Sequence, residues 1–395
     1  MLKKILFFLI INIIILLSIE IIIKTTLKVL NYPTVYKLGN IPEKNYDYLT
    51  GYYNLPNIEE RSKGNYYQGT DQYGFNLDGE RFVTQDLTKK DDNTFRIFLL
   101  GGSTIKGAAL VDRYDPISAR LEKKLNKKMG NSKLTFQVIN AGTTSFISSQ
   151  ELALTQYKIL YALKPDYIII LNGTNDATSY LGNQFYLSNS HYYQRGFQKN
   201  ISKTSKNFFF YFDDWASKNL SSYFLLKKLI EKTTNNLMFD AEERKFRSEE
   251  MSEDMTEKRI YRYFYNINLI SKLANKDTYV SLFFQPQMLP ENINGLSNND
   301  QKILNNFNKK DKYYFSNKTL FYNKAREKIK SFNSSDESKD RKFFQIVDIS
   351  NILDFTSDSK DYYSDRVHYT SISREIIVKR IFQDIEKKIK ENLSD

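Results

Sequence analysis

Five short apolar segments, separated by stretches of helical pattern, constrain the fold of this 395-residue chain more than any other feature. Each is a mostly apolar run of six or seven residues, as expected of a strand that is buried in a parallel sheet. Their alternation with helices predicts an α/β fold, a three-layer α/β/α sandwich around a five-stranded parallel sheet. The predicted strands are Phe95–Leu100, Leu134–Ile139, Asp166–Leu171, Thr278–Phe284 and Phe344–Ile349.

Start signals position the helices between these strands. Asp115 is predicted to be the N-cap of a helix whose first residue is Pro116. Ser148 and Glu151 have the spacing of a capping box at the start of the next helix. The four predicted helices span about 116–129, 148–163, 258–275 and 371–391.

The remaining segments define the predicted domain organisation. Residues 1–29 form an N-terminal anchor, and residues 30–94 form a polar juxtamembrane segment with short strands or turns that packs on the domain. The main domain spans residues 95–395, with insertions at about 181–257 and 291–340 where the alternation stops. The first insertion is interpreted as a cap or side layer.

The anchor prediction depends on Ile5–Ile23, an apolar stretch interrupted only by Asn12, Ser18 and Glu20. Its length as a helix nearly spans a bilayer core. The small residues of a signal-peptidase site are missing, so an uncleaved anchor is favoured over a cleaved signal sequence. The lysines that precede the stretch favour an N-terminus inside the cell. We therefore expect a single-pass protein of the cell membrane with its soluble part outside the cytoplasm.

Composition narrows the chemistry. The chain has no cysteine, which excludes disulfides, thiolate nucleophiles and Cys-ligated metals. Its two histidines, His191 and His368, leave little room for a metal cage, so we expect neither a metal nor an organic cofactor. The formal net charge of +12 accompanies a general abundance of Lys, Ile, Asn, Tyr and Phe and is interpreted as a solvated surface. No nucleic-acid-binding module is recognisable, and nucleic acid is not expected as a partner.

Polar motifs lie where ligands bind in an open parallel sheet, beyond the carboxyl ends of the strands. Each motif alone has an ordinary interpretation as a tight turn, a flexible glycine, a helix-capping loop or a loop histidine. Together they would place a hydroxyl, several hydrogen-bond donors and a His–Asp pair in one pocket. The motifs are Gly101–Thr104, Asn140–Gly142, Gly173–Asp176 and Asp365–His368.

These residue types suit nucleophilic attack on a carbonyl. Ser103 would be the nucleophile, and it needs a base such as His368 to take its proton. Asp365 would hold the other ring N–H of His368 and stabilise the imidazolium. An oxyanion would accept hydrogen bonds from the backbone N–H groups of Ser103 and Gly142 and from the side-chain amide of Asn175.

The four motifs resemble those of the SGNH (GDSL-type) hydrolases in type and order. GGST matches the block of the nucleophile Ser103, NAG that of Gly142, GTND that of Asn175, and DRVH that of Asp365 and His368. The resemblance covers about residues 95–180 and 277–390. Two departures are Gly102, where the commoner form has Asp, and TSISREII, which lacks the usual glycine after the histidine.

The resemblance and the anchor together imply a membrane-anchored serine esterase. It would remove O-acyl groups, with acetyl expected first, from an envelope or extracellular polysaccharide through an acyl-serine intermediate. Two alternatives remain open: an O-acyltransferase that uses the same site, and a non-catalytic glycan-binding scaffold. An extracellular nuclease or anion-binding protein is supported by charge alone.

Other features receive structural interpretations. His191 is expected to be a surface residue of the insertion, and Gln285-Pro286 a pocket wall. Asp71–Asn76 is expected to brace the first strand of the sheet. The aromatic residues of 181–215 would form either the core of a cap or a platform for sugar stacking.

Overall fold

The computed structural model describes most of the chain outside the first insertion and the region around residues 31–43. All statements below concern the described residues. These are 2–30, 44–45, 47, 49–50, 52–58, 69–80, 86–107, 110, 112–131, 133–178, 215–216, 219–223, 225–226, 249–274, 278–289, 296–310, 313–353 and 360–394.

The chain forms two compact units. The first consists of Met1–Lys44 and Gly196–Ala241, the second of Asn45–Arg195 and Glu242–Asp395. In the first unit, helix α1 (Leu2–Val29) contains the apolar span Ile10–Val29, which by length and composition could cross a membrane. A signal sequence would meet the same criterion.

Within the first unit, the carboxylate of Glu20 on α1 is hydrogen-bonded to the short helical segment at 221–223. It accepts the backbone N–H of Ser222 over 2.9 Å and also that of Ser221. The polar side chain in the middle of the apolar helix is therefore paired with backbone donors.

The second unit is built on a seven-stranded sheet in the order β3-β4-β6-β5-β7-β8-β9, in which the five strands from β6 to β9 are parallel. The predicted five parallel strands are confirmed, each within one residue at both ends. The sheet is wider than predicted because β3 and β4 add antiparallel pairs at one edge. The strands are β1 (Lys44–Asn45), β2 (Tyr53–Asn54), β3 (Gly69–Thr70), β4 (Asn76–Leu77), β5 (Thr94–Gly101), β6 (Thr135–Asn140), β7 (Tyr167–Asn172), β8 (Tyr279–Phe284) and β9 (Phe344–Asp348).

Helices cover both faces of this sheet, so the predicted three-layer arrangement is confirmed. Helices α3 and α11 pack on one face, and α4, α7 and α9 pack on the other. After α1, the helices are α2 (Ser103–Lys106), α3 (Ile117–Met129), α4 (Ser148–Leu154), α5 (Leu160–Ala162), α6 (Thr174–Ala177), α7 (Glu253–Leu273), α8 (Asn298–Lys310), α9 (Tyr314–Asn333), α10 (Asp336–Asp340) and α11 (Ser371–Ser394); a π-helical turn, Thr155–Ile159, joins α4 to α5.

The central strands β5, β7 and β8 are buried on both faces, which is why they form mostly apolar segments in the sequence. Alternate side chains serve the two layers. Ile97 and Leu99 belong to the core cluster with α3 and α11, whereas Phe284 contacts the rings of Tyr263 on α7 and Tyr322 on α9.

The prediction for the start of α3 was wrong. The helix begins at Ile117 with Pro116 at its N-cap position, and Asp115 does not cap it. The Asp115 carboxylate is instead paired with Arg120 and with Arg374 of α11. A long-range ion pair therefore replaces the local cap.

The predicted capping box of α4 was also wrong. Ile147 occupies the N-cap position, and the side chain of Gln150 accepts its backbone N–H over 3.3 Å. Ser148 and Glu151 are fully buried, and their side chains bind Asp176 and Asn172. They belong to the polar layer beneath the third strand end.

The two insertions differ in what the structure describes. Most of 181–257, including His191 and nearly all of the aromatic stretch at 181–215, lies outside the described residues. The segment 291–340 contains α8, α9 and α10, and α7 begins at Glu253 rather than near residue 258.

The segment Asp71–Asn76 contacts the sheet at two places. The ring of Phe75 packs against Phe98 of β5, with centroids 5.4 Å apart. Its hydrogen bonds, however, go to the end of β6, where Asn76 Nδ2 donates to the carbonyl of Gly142 over 2.7 Å. This segment therefore supports the second motif more than the first strand.

Candidate active site

The strand order brings the first three motifs together. β5 lies between β6 and β7, and the three strands are parallel, so their carboxyl ends open onto the same edge of the sheet. Ser103 follows β5 as the first residue of α2, Gly142 follows β6, and Asn175 follows β7 on α6.

Ser103, His368 and Asp365 form one hydrogen-bonded series. His368 Nε2 lies 2.8 Å from Ser103 Oγ, and His368 Nδ1 lies 2.6 Å from Asp365 Oδ2. The imidazole is therefore positioned to take the serine proton through Nε2 while Asp365 accepts the N–H at Nδ1. The side chain of His368 is 20% exposed, so its ring is partly accessible to solvent.

Asp365 is held as a carboxylate. Burial acts to raise its pKa, but the bond to His368, the charge of that ring and two backbone donors lower the pKa to about 2. Its Oδ1 accepts the N–H groups of Val367 and His368, each over 2.8 Å. The carboxylate thus orients both the ring and the turn that carries it.

Gln285 and Pro286 hold the loop of His368. Tyr369 is buried, its hydroxyl donates to the Pro286 carbonyl over 2.7 Å, and Gln285 Nε2 donates to that hydroxyl over 3.3 Å. The sequence predicted a pocket wall here; the contacts described for these side chains anchor the residue next to His368.

A second anchor reaches the same loop from α11. Arg374 is buried and donates to the Tyr369 carbonyl while pairing with Asp115. Arg374 thereby links the loop of His368 to Asp115, which lies 259 residues before Arg374 in the sequence.

Asn175 lies directly beside Gly102, the residue before Ser103. A Cβ at Gly102 would be 2.5 Å from Asn175 Nδ2, so the absence of a side chain at Gly102 makes room for this amide. Nδ2 donates one hydrogen to the Phe146 carbonyl over 2.9 Å. That bond orients the amide, and the second hydrogen has no acceptor among the described residues.

Gly142 contacts α2, the helix that begins at Ser103. A Cβ there would lie 2.3 Å from the backbone nitrogen of Lys106, so only glycine fits this close approach. Its N–H donates to Asn140 Oδ1 over 3.1 Å, within its own loop. To donate to an oxyanion, the Gly142 N–H would have to share its hydrogen with Asn140 or give up its bond to Asn140.

Asp176, the neighbour of Asn175, connects the second and third loops. It accepts both the hydroxyl of Ser148, over 2.6 Å, and the Ser148 N–H, and Asn266 of α7 donates to the same hydroxyl. Burial raises the pKa of Asp176 to about 6, against the charge of Arg262 and the Ser148 bonds. In the sequence, the only sign that Asp176 joins these loops was its position in the GTND motif.

A second polar group lies in the same layer. Burial and the charge of Asp176 raise the pKa of Glu151, which is bonded to the Asn172 amide. Tyr263 donates to Asn172 Oδ1 over 2.7 Å. The sequence analysis missed this layer because its members come from four separate elements.

No group of three or more potential metal ligands occurs within the described part of the chain.

No family model and no curated protein matches the chain. Solved structures do match. A member of the lipolytic protein G-D-S-L family from Veillonella parvula is 10% identical, covers 73% of this chain and 97% of its own, and has a TM-score of 0.37. A variant of Axe2, an acetyl xylan esterase from Geobacillus stearothermophilus, is 12% identical, covers 74% of this chain and 94% of its own, and has a TM-score of 0.36.

A likeness at this level carries no argument about function. The residues of this chain do carry one: a Ser–His–Asp triad at the carboxyl edge of a parallel sheet is the arrangement of a serine hydrolase. In the order of its four motifs the chain is similar to the SGNH type.

Proposed function

We propose that this chain is a membrane-anchored serine esterase with Ser103 as the nucleophile, His368 as the general base and Asp365 as its partner. The observation that carries the proposal is the pair of contacts at His368, 2.8 Å to Ser103 Oγ and 2.6 Å to Asp365 Oδ2. One imidazole joined on both sides in this way can accept a proton from the hydroxyl and return it to a leaving group.

In the first half-reaction Ser103 Oγ attacks the ester carbonyl as its proton moves to His368 Nε2. The negative oxygen of the tetrahedral intermediate accepts hydrogen bonds from the second amide hydrogen of Asn175 and the Ser103 N–H, and from the Gly142 N–H if it exchanges its bond to Asn140. His368 then gives the proton to the departing alcohol, and the acyl group stays on Ser103.

In the second half-reaction a water loses a proton to His368 and attacks the acyl-serine. The free acid is released and the Ser103 hydroxyl is restored. Asp365, ionised throughout, stabilises the imidazolium in both halves.

The substrate class follows from the anchor and the motif resemblance together. An apolar N-terminal helix would hold the site next to the envelope, where O-acylated polysaccharides are among the esters within reach. We therefore propose O-acyl groups, acetyl first, of an envelope or extracellular polysaccharide as the substrate, with the catalytic unit outside the cytoplasm.

The test uses the full chain in detergent micelles, as wild type, as Ser103→Ala and as Ser316→Ala, a control at an exposed serine of α9. Release of p-nitrophenol from acetyl and octanoyl esters is measured beside labelling by a fluorophosphonate. We expect turnover and labelling in the wild type and in Ser316→Ala, and neither in Ser103→Ala. A folded wild type that is not labelled would overturn the proposal.

Labelling at Ser103 without turnover would point to an acyltransferase awaiting its acceptor. Acetylated polysaccharide is then incubated with and without an unacetylated acceptor glycan. An esterase releases acetate in both cases, whereas a transferase moves the acetyl group to the acceptor.

The anchor is tested separately. The intact mass of the protein recovered from cell membranes distinguishes a retained helix α1 from a cleaved one. Loss of α1 from the mature protein would contradict the anchor and leave the esterase proposal standing.

A further inference from the structure

A buried lysine lies beneath the candidate site, and the proposed reaction has no use for it. Lys318 projects from α9, is 1% exposed, and places its Nζ 2.7 Å from Thr174 Oγ1 and 3.3 Å from Gln287 Oε1. Its Nζ also lies 4.9 Å from the centroid of the Tyr314 ring. An amine buried this deeply is costly unless its hydrogen bonds are made.

The hydrogen bonds around Gln287 have a definite direction. Its Nε2 donates to the carbonyls of Met288, over 3.1 Å, and Arg366, over 2.9 Å. Carbonyl oxygens only accept, so the Oε1 of Gln287 must face Lys318 and Thr174. The Thr174 hydroxyl accepts from Lys318 and donates to Gln287. The series therefore runs from Lys318 through Thr174 and Gln287 to Arg366.

The two ends of this series belong to the two halves of the catalytic arrangement. Thr174 directly precedes Asn175, the proposed oxyanion donor. Arg366 directly follows Asp365 and lies two residues before His368. Lys318 thus supports two loops, the one that carries Asn175 and the one that carries His368.

Lys318 can make both hydrogen bonds whether its amine is charged or neutral. Burial lowers the pKa of Lys318 well below its usual value, the charge of Arg366 lowers it further, and Asp365 raises it. A neutral amine still has two N–H groups and an ammonium has three, so both contacts are retained in either state.

We propose that Lys318 is a positioning residue that holds Asn175 and His368 in register through Thr174 and Gln287. The contacts stand on their own, and the kinetic consequence rests on the proposed esterase function. Removing the amine should loosen both loops together and lower the rate of the chemical step, because misplacement of reacting groups by a fraction of an ångström is costly.

The first test measures backbone amide hydrogen exchange in the full chain in detergent micelles. Lys318→Met keeps the apolar stem and removes the amine, and Lys330→Met makes the same change at an exposed position of α9. We expect faster exchange in residues 173–178 and 363–369 of Lys318→Met alone. Unchanged exchange in both segments would overturn the proposal.

The second test is kinetic. In Lys318→Met we expect kcat to fall about 10- to 100-fold while KM changes by less than about threefold, since a positioning defect acts on the transition state. Lys330→Met should match the wild type. A loss confined to KM, or no loss, would overturn the proposal. If the wild type shows no Ser103-dependent activity, the esterase function fails, and hydrogen exchange still decides whether Lys318 holds the loops.

A second pair of variants covers the case in which Lys318→Met does not fold. Thr174→Val removes the hydroxyl that joins Lys318 to Gln287 and keeps the shape of the side chain, whereas Thr174→Ser keeps the hydroxyl. We expect kcat of the valine variant to be about 10-fold below that of the serine variant. Equal kcat values would contradict the proposed series.

Discussion

Ser103 Oγ and His368 Nε2 lie 2.8 Å apart, although 265 residues separate them in the chain. Ser103 follows the first parallel strand, and His368 lies in the loop between the last strand and α11. The sheet brings both to one edge, and Tyr369 and Arg374 hold the histidine loop there. The catalytic contact therefore depends on supports that are themselves remote in sequence.

The first prediction concerns Asp365→Asn. The amide can donate to Nδ1 and so favours the tautomer in which Nε2 carries the proton and cannot accept one from Ser103. We expect kcat to fall about 10³- to 10⁴-fold with little change in thermal unfolding. Steady-state ester hydrolysis measures it, with Asp340→Asn at an exposed position of α10 as the control. Retention of more than a tenth of the rate would argue against the role of Asp365.

The second prediction is the shape of the acid limb of the pH–rate profile. The pKa of Asp365 is lowered to about 2, so its carboxylate remains ionised as the solution is acidified. Asp365 should therefore take up no proton along the acid limb, so it adds no second ionisation to the profile. We expect log kcat/KM to rise with pH along a slope of about one. A slope near two would show that a second group must also lose a proton.

The third prediction concerns Gly102→Ala. The new methyl group would lie 2.5 Å from Asn175 Nδ2, so the amide must move away from the nucleophile. We expect kcat to fall about 10²- to 10³-fold, as for loss of one oxyanion donor. Gly69→Ala is the control, because a Cβ there meets no atom closer than 3.5 Å.

A double variant identifies the cause of this loss. If Gly102→Ala acts through Asn175, adding it to Asn175→Ala should cost little more than Asn175→Ala alone. If the fold-losses in kcat of the two single variants instead multiply in the double variant, that explanation is refuted.

The fourth prediction concerns stability. Burial raises the pKa of Asp176 from 3.8 to about 6. Between about pH 4 and pH 6 the folded protein holds a proton that the unfolded chain has released, so this group makes the free energy of unfolding fall as pH rises, with no further change above about pH 6. A pKa difference of about two units corresponds to a change of roughly 3 kcal/mol in the free energy of unfolding.

Asp176→Asn removes this titration. The stability advantage of the wild type over Asp176→Asn should therefore shrink between pH 4 and pH 6, as measured by denaturant unfolding of the full chain in detergent micelles. Asp340→Asn should keep the wild-type pH dependence. Parallel curves for wild type and Asp176→Asn would contradict the pKa of the buried carboxyl.

The structure also shows where local sequence signals stop being informative. Asp115 has the ideal place for an N-cap, yet Arg374 of α11 offers its carboxylate an ion pair in a partly buried setting. Ser148 and Glu151 have capping-box spacing, yet they turn to Asp176 and Asn172. In both cases a partner from another element competes with the local backbone, and that partner is invisible in a local pattern.

The short strands β3 and β4 were not predicted individually for a related reason. Each has two residues, too few to show a period of alternation. They form because their backbone groups pair with one another and with the free edge of β6, which exists only once the sheet has assembled.

The sequence by itself determined the five parallel strands, the helices α3, α4, α7 and α11, and the order of the four polar motifs at the strand ends. These follow from apolar segments and residue types that are local in the chain. Only the tertiary structure decided that Asn175 lies against Gly102, that Asn76 donates to Gly142, and that Lys318 supports two loops at once. Hydrogen bonds act over about 3 Å and in fixed directions, so they are set by long-range packing that brings distant elements together.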